Sequence, residues 1–134
     1  MRVSFSLFAI VSVAVLLVAC DQDPLGLGCR RIAGNYCLRQ WEDGETYYID
    51  ALNGKDSGGG GVINGSVQAI AWSPKYIVAL RQPTVLSDGY GYMSINVQNG
   101  QLQGPVPSIS AFGDRSIANL TTVSPKTAWD KLGR

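Results

Sequence analysis

Three acidic residues, Glu42, Asp43 and Glu45, crowd into one short stretch of this chain. Paired carboxylates can perform acid–base catalysis or bind calcium when burial or a cleft separates their pKa values. This trio surrounds an Asp-Gly turn signal between two strand-like segments, where side chains are solvated, so we expect a plain turn. The chain also contains no histidine, which excludes Ser-His-Asp and Cys-His catalysis and histidine-ligated zinc. We therefore predict no catalytic residue, no metal site and no cofactor.

Aromatic side chains are the second group of residues with the chemistry of a binding site. Rigid aromatic rings anchor recognition surfaces, but the same residue types are enriched in strands, where they pack against cross-strand neighbours. Tyr48 falls on the predicted outer face of a strand, and Tyr90 and Tyr92 adjoin a glycine-containing loop. These three tyrosines are the predicted ligand contacts, and strand packing is the competing interpretation.

The N-terminus has the pattern of an export signal. Arg2 gives a positive start, and residues 3–19 then run without a charge and end in the small residue Ala19. A positive start, a short apolar core and a small residue before the cleavage point are the parts of a secretory signal peptide. The alternative, a transmembrane helix, needs about 20 apolar residues, and acidic rather than basic residues follow this run. We predict that residues 1–19 are removed on export.

Leu17-Val18-Ala19-Cys20, at the end of that run, resembles the lipobox of bacterial lipoproteins. An ordinary cleavage site prefers a small residue at position −3, where this chain has a bulky leucine. The resemblance implies a diacylglyceryl group on the Cys20 thiol, cleavage just before Cys20, and a new amine that is often acylated. Two or more acyl chains hold a protein stably on a bilayer, since each buried methylene contributes about 0.8 kcal/mol. The resemblance therefore implies localisation at a bacterial membrane, either the inner or the outer one.

If Cys20 carries the lipid, Cys29 and Cys37 are the two cysteines that remain. Exported proteins seldom keep free thiols, because their compartment is oxidising, and Gly34-Asn35 is a turn signal between the two. We predict a Cys29–Cys37 disulfide; the alternative is two independent small apolar side chains. Residues 20–28 are then a lipidated terminus and tether, and residues 29–134 form a single globular domain.

Period-two patterning broken by turn residues predicts strands along most of that domain. Residues 36–41 and 46–52 flank Asp43-Gly44, a turn signal that sets Leu38 opposite Ile49. Residues 66–72 and 76–81 are the most continuously apolar segments, which predicts that both lie at the centre of a sheet.

The second half of the domain has a further hairpin signal and a helix signal. Asn99-Gly100 sets Val97 opposite Leu102, and Pro105 is expected to end the second strand of that hairpin. Residues 118–123 read as a last strand, whereas residues 108–117 give no clear pattern.

Ser124-Pro125 is typical of a helix start, and Ala128, Trp129 and Leu132 form one apolar stripe after it. The predicted fold is mainly β, at the margin of α+β: an antiparallel meander of about five to seven strands with a short C-terminal helix.

Charge indicates no specific partner, because 11 basic residues face 10 acidic ones. A nucleic-acid ligand requires a basic surplus, so we exclude it. The mature region, with its hairpin Asn96-Val-Gln-Asn-Gly-Gln-Leu102, is also similar to small bacterial lipoproteins of unassigned function. This resemblance implies a membrane-anchored, non-catalytic binding or scaffold module of the cell envelope, with an envelope protein as its expected partner.

Two other classes of function stay open. Lipoprotein inhibitors of hydrolases such as lysozyme also combine an anchor, a small β-fold and a disulfide, but their Ser-Gly-x-x-Tyr stretch is missing here. An enzyme that uses serine, tyrosine or carboxylates is the third and least favoured class.

Overall fold

A computed structural model of the chain describes residues 28–52 and 61–133. Within these ranges the chain forms two antiparallel sheets, in which successive strands pair with one another, and ends in a short helix. The prediction of a mainly β antiparallel fold with a C-terminal helix is confirmed. The predicted leader, the lipobox, Cys20 and the tether up to residue 27 lie outside the described residues.

The described elements follow one another along the chain in a simple order. The first sheet contains β1 (Arg30–Ala33), β2 (Tyr36–Gln40) and β3 (Tyr47–Ala51), and the second contains β4 (Ser66–Trp72), β5 (Tyr76–Gln82), β6 (Gly91–Asn96) and β7 (Leu102–Val106). Two 3-10 turns, Leu86–Asp88 and Ile109–Phe112, and two helices, α1 (Arg115–Ala118) and α2 (Pro125–Leu132), complete the described chain. None of these helices has the length and apolar character needed to cross a bilayer.

The β2–β3 hairpin has the predicted register, with Leu38 opposite Ile49. Its loop comprises residues 42–45, because the Trp41 N–H donates to the Thr46 carbonyl at 2.8 Å. The Asp43 carboxylate accepts from the backbone N–H groups of Glu45 and Thr46 at 2.9 and 2.8 Å, as Asx turns do. The Asp-Gly pair is thus the centre of a longer turn than the two-residue one expected, and the register is unchanged.

Asp43 gives this hairpin a pH dependence. The Thr46 hydroxyl, followed by the two backbone donors, lowers the pKa of Asp43 below its ordinary value of 3.8. The charged carboxylate therefore stabilises the fold above that value, and the contribution is lost as pH falls through the folded-state pKa. Asp43→Asn keeps an acceptor but removes the charge. We expect the melting-temperature difference between wild type and variant to be constant from about pH 5 upward and to shrink below the ordinary carboxyl pKa. A difference that does not change with pH contradicts this assignment.

The hydrophobic core lies between the two sheets and is closed by α2. Both sheets and α2 contribute to it. Its buried members include Leu38, Tyr47 and Ile49 from the first sheet, Ile70, Ile77, Ala79, Met93 and Ile95 from the second, and Ala128 and Trp129 from α2. Since side chains alternate between the two faces of a strand, the residues between these positions on the second sheet face away from the core.

The position of β4 differs from the prediction that it lies at the sheet centre. The strand order is β4-β5-β6-β7, so β5 is an interior strand and β4 stands at one end. Val123 covers the outer edge of β4 by exchanging both backbone hydrogen bonds with Ile70, at 2.9 and 2.8 Å. A strand was predicted over residues 118–123. In the structure Ala118 is the last residue of α1, and only Val123 of this segment pairs with a strand. The apolar composition that favoured a central position reflects burial on both faces of β4, since the adjacent residues Ile70 and Ala71 are both buried.

The register of the β6–β7 hairpin was predicted wrongly. Ile95, rather than Val97, lies opposite Leu102, and the loop comprises residues 97–100 because the Gly100 N–H donates to the Asn96 carbonyl at 2.8 Å. β7 also continues through Pro105 to Val106. A missing backbone donor is tolerated there, because β7 pairs only with β6 among the described strands and is therefore an edge strand.

The predicted helix start and disulfide are both confirmed. The Ser124 hydroxyl accepts from the Thr127 N–H at 3.1 Å at the start of α2, and Ala128 and Trp129 are buried. The Cys29–Cys37 disulfide joins the residue before β1 to the buried Cys37 of β2, with the two Cα atoms 5.5 Å apart. The cross-link therefore fixes the start of the described domain to its core.

Candidate binding groove

A groove lies on the face of the second sheet that points away from the core. On β6, Ile95 faces the core, so its neighbours Ser94 and Asn96 face the opposite side. The chain after β7 folds back over this side as the covering segment, residues 109–118, and buries Ile117 to 2% exposure. Between the sheet and the covering segment is a groove of about 400 Å³.

The floor of the groove is built from polar side chains on adjacent strands. Ser94 lies opposite Gln103 across β6 and β7, and Asn96 is the next residue of β6 on the same face. The Asn96 N–H donates to the carbonyl of Gln101 at 2.9 Å, which sets these two residues side by side as well. All four side chains line the groove. They form a two-by-two polar array held by the hairpin's backbone hydrogen bonds.

A hydrogen bond joins the floor of the groove to the covering segment. The Tyr76 hydroxyl of β5 donates to the Asp114 carboxylate at 2.9 Å, and the other oxygen of that carboxylate accepts from the Ser116 N–H at 2.8 Å. The Ser116 hydroxyl, and after it the Tyr76 hydroxyl, lowers the pKa of Asp114 below its ordinary value. Asp114 is therefore an ionised link that positions the covering segment, and it is poorly suited to donating a proton.

Several polar groups in the groove are left for a ligand. Within residues 28–52 and 61–133, the side chains of Gln101, Gln103 and Arg115 make no hydrogen bond, although all three line the groove. Asn96 accepts the Gln98 N–H with its side-chain oxygen at 3.0 Å, which leaves its amide nitrogen as a donor. Phe112 adds a partly exposed aromatic ring to the wall. This arrangement can bind by hydrogen bonding and stacking.

Comparisons with models of known protein families, with curated proteins and with solved structures find no match for this chain. In the part of the chain that the structure describes, no group of three or more cysteine, aspartate or glutamate side chains is placed to hold a metal ion.

None of the three predicted tyrosine contacts lines the groove. Tyr48 packs against Trp41 on the first sheet, with ring centroids 5.0 Å apart, and Tyr90 is exposed just before β6. Tyr92 lies on the same face of β6 as Ser94, opposite Leu80 of β5. Their use in ligand binding stays a prediction.

A second cleft, of about 530 Å³, lies at the tip of the β2–β3 hairpin and is lined by Trp41, Asp43 and Thr46, among others. The Asp43 carboxylate is already occupied there by the Glu45 N–H and by Thr46. The amide of Asn64 in this cleft is occupied as well, by Asp88 and Thr84. The amides of Gln101 and Gln103 in the groove make no such bond within the described residues, so this cleft is the weaker candidate for a site.

The polar floor of the groove has a signal in the amino-acid sequence. Ser94, Asn96, Gln101 and Gln103 alternate with other residues on both sides of one turn, which is the pattern of a polar strand face. The covering segment gave no signal, so the sequence did not indicate that this polar face is one wall of a groove.

Proposed function

We propose that this protein is a lipid-anchored lipoprotein of the bacterial cell envelope that acts as a non-catalytic binding module. The observation that carries the proposal is Leu17-Val18-Ala19-Cys20 at the end of an uncharged run. In this proposal Cys20 is acylated, residues 1–19 are removed, and the domain is held at a membrane surface by its fatty chains.

The Cys29–Cys37 disulfide supports export. Cytosolic thiols are kept reduced, whereas periplasmic and extracellular proteins keep structural disulfides. The disulfide begins nine residues after the proposed anchor, so the tether would lead directly into the cross-linked start of the domain.

The chemistry of the groove supports binding rather than catalysis. Its floor offers the amides of Asn96, Gln101 and Gln103, which hydrogen bond but do not titrate. Its carboxylate, Asp114, is held by Tyr76 and Ser116. General acid–base catalysis needs a group that exchanges protons near the working pH, and these side chains do not supply one.

Metabolic labelling with a fatty-acid analogue tests the proposed anchor. We expect the wild-type chain to incorporate the label and Cys20→Ser to incorporate none, because the thiol is the acceptor. Cys29→Ser is the matched control, since it removes a cysteine that the proposal leaves unacylated, and it is expected to be labelled like wild type. An unlabelled wild type, or label retained by Cys20→Ser, overturns the proposal.

A further inference from the structure

We propose that the groove between the second sheet and the covering segment binds a neutral, polyhydroxylated ligand, namely a glycan. This inference names the ligand class for the binding role proposed above, and it rests on that role. Three properties of the groove support it: its charge, the donors and acceptors of its floor, and its shape.

The charges in the groove offset each other. Asp114 and Arg115 are the two charged residues in the lining, so its formal charge is zero. Asp114 is also occupied by hydrogen bonds from Tyr76 and Ser116. Phosphorylated or polyanionic ligands require an excess of basic side chains, which this lining lacks. A neutral ligand is the better electrostatic match.

The floor suits hydroxyl groups. Each side-chain amide offers both a donor and an acceptor, and a hydroxyl group likewise donates one hydrogen bond and accepts others. Asn96, Gln101 and Gln103 present several such groups at the spacing of neighbouring strands, while Ser94, which is only 2% exposed, lies beneath them. Because the array stands on paired backbone segments rather than on a free loop, its backbone needs little ordering on binding.

The shape and the aromatic wall suit a small ring-shaped ligand. A volume of about 400 Å³ lies within the range of roughly 300–1,000 Å³ typical of small-molecule sites. The ring of Phe112 stands at the wall beside the polar floor. A sugar ring has hydroxyls at its rim and C–H groups on its faces, so the floor can bind the rim while the aromatic wall contacts a face.

A peptide is the less favoured occupant. Extended peptides gain most from pairing their backbone with a sheet edge. The edge next to the groove is β7, and Pro105 within β7 has no N–H to offer to a paired strand. The free polar groups of the groove come instead from side chains on the sheet face. The hydroxyl groups of a polyol can form more hydrogen bonds with these side chains than a peptide backbone can.

Calorimetric titration of the full-length chain, produced with its leader and purified in a detergent that has no sugar headgroup, tests this proposal. The probes are chitotetraose, cellotetraose and an alanine-rich tetrapeptide. Chitotetraose consists of N-acetylated amino sugars and cellotetraose of plain glucose units, so comparing their affinities shows which kind of sugar the groove prefers. We expect saturable binding of at least one oligosaccharide and none of the peptide.

The variant Gln103→Ala locates the site. It removes one floor amide from an exposed position, so we expect a normal melting temperature and an affinity about tenfold lower, as loss of one good hydrogen bond gives. Gln68→Ala is the matched control, because Gln68 is an exposed glutamine of β4 outside the groove lining. We expect its affinity to equal that of wild type. If Gln103→Ala unfolds, Gln101→Ala provides the same test.

The two proposals fail separately. Absence of binding to both oligosaccharides, a preference for the peptide, or unchanged affinity in the floor variants overturns the glycan site. In each case a fatty-acid label on Cys20 still supports the lipoprotein. Conversely, if Cys20 is unlabelled but the chain binds an oligosaccharide through Gln103, the proposed membrane anchor is contradicted and the glycan site is supported.

Discussion

Replacing Trp129 with alanine will lower the free energy of unfolding by about 3–5 kcal/mol, the usual cost of truncating a buried tryptophan. Trp129 is 8% exposed and packs against Tyr47 of the first sheet, with ring centroids 5.8 Å apart. Arg30, the first residue of β1, places its guanidinium carbon 4.1 Å from the centroid of the Trp129 ring. The Arg30 side chain also donates a hydrogen bond to the Trp129 carbonyl. Truncation leaves a cavity where α2 closes the core and removes this cation–π contact.

Urea unfolding measures that loss, and Trp41→Ala is its matched control. Trp41 is 41% exposed at the hairpin loop, where it contacts Tyr48. We expect its truncation to cost no more than about 1 kcal/mol, because exposed positions contribute little. Equal losses for the two tryptophans would contradict the placement of α2 over the core.

Removal of the disulfide will lower the free energy of unfolding by about 2–3 kcal/mol. Cys29 and Cys37 are 8 residues apart, and closing a loop of this size restricts the unfolded chain by that amount in the chain-entropy model. The double variant Cys29→Ala, Cys37→Ala tests the expectation by urea unfolding. Because Cys37 is fully buried, the double variant will lose more than this amount, since packing around the shortened side chain is lost as well.

A reductant separates the two contributions. Reduced wild type keeps both sulfur atoms and loses only the cross-link, so its stability is expected to fall between those of the oxidised wild type and the double variant. The double variant itself should not respond to the reductant. A wild type whose stability is the same in both redox states would show that the cross-link adds nothing to the fold.

Local signals predicted the elements that depend on local chemistry. The Asp43-Gly44 pair set the centre of the β2–β3 hairpin, and the register follows from that centre even though the loop is longer. The Ser124 hydroxyl and Pro125 define the start of α2 without help from the rest of the chain. In both cases the deciding hydrogen bonds are made within three residues along the chain.

The errors arose where distant parts of the chain decide the outcome. Asn99-Gly100 favours a two-residue turn, but the Val97 N–H donates at 2.9 Å to Lys75, in the turn before β5. Val97 thus extends the pairing of β6 with the β5 side, and on the β7 side it belongs to the loop of residues 97–100. The edge of β4 is likewise covered by Val123, more than 50 residues later. Neither contact has a signal in the local sequence.

The candidate groove was the least predictable feature, for the same reason. Its floor is a polar strand face that the sequence displays, but its wall is the covering segment, which consists of a 3-10 turn and a single-turn helix. That segment is positioned by the Tyr76–Asp114 hydrogen bond between residues 38 positions apart. The three predicted tyrosines, in contrast, rest on aromatic character and on a place on an outer face or beside a glycine loop, and neither property specifies a concave surface.

The mass of the N-terminal peptide of the mature protein is the most direct test of the proposed lipid anchor on Cys20. After reduction, alkylation and trypsin digestion, the peptide of residues 20–30 should carry a diacylglyceryl group on Cys20 and an alkylated Cys29, with or without an acyl group on the new amine. A peptide that still includes residues before Cys20, or one whose Cys20 is alkylated like Cys29, would contradict the lipoprotein proposal.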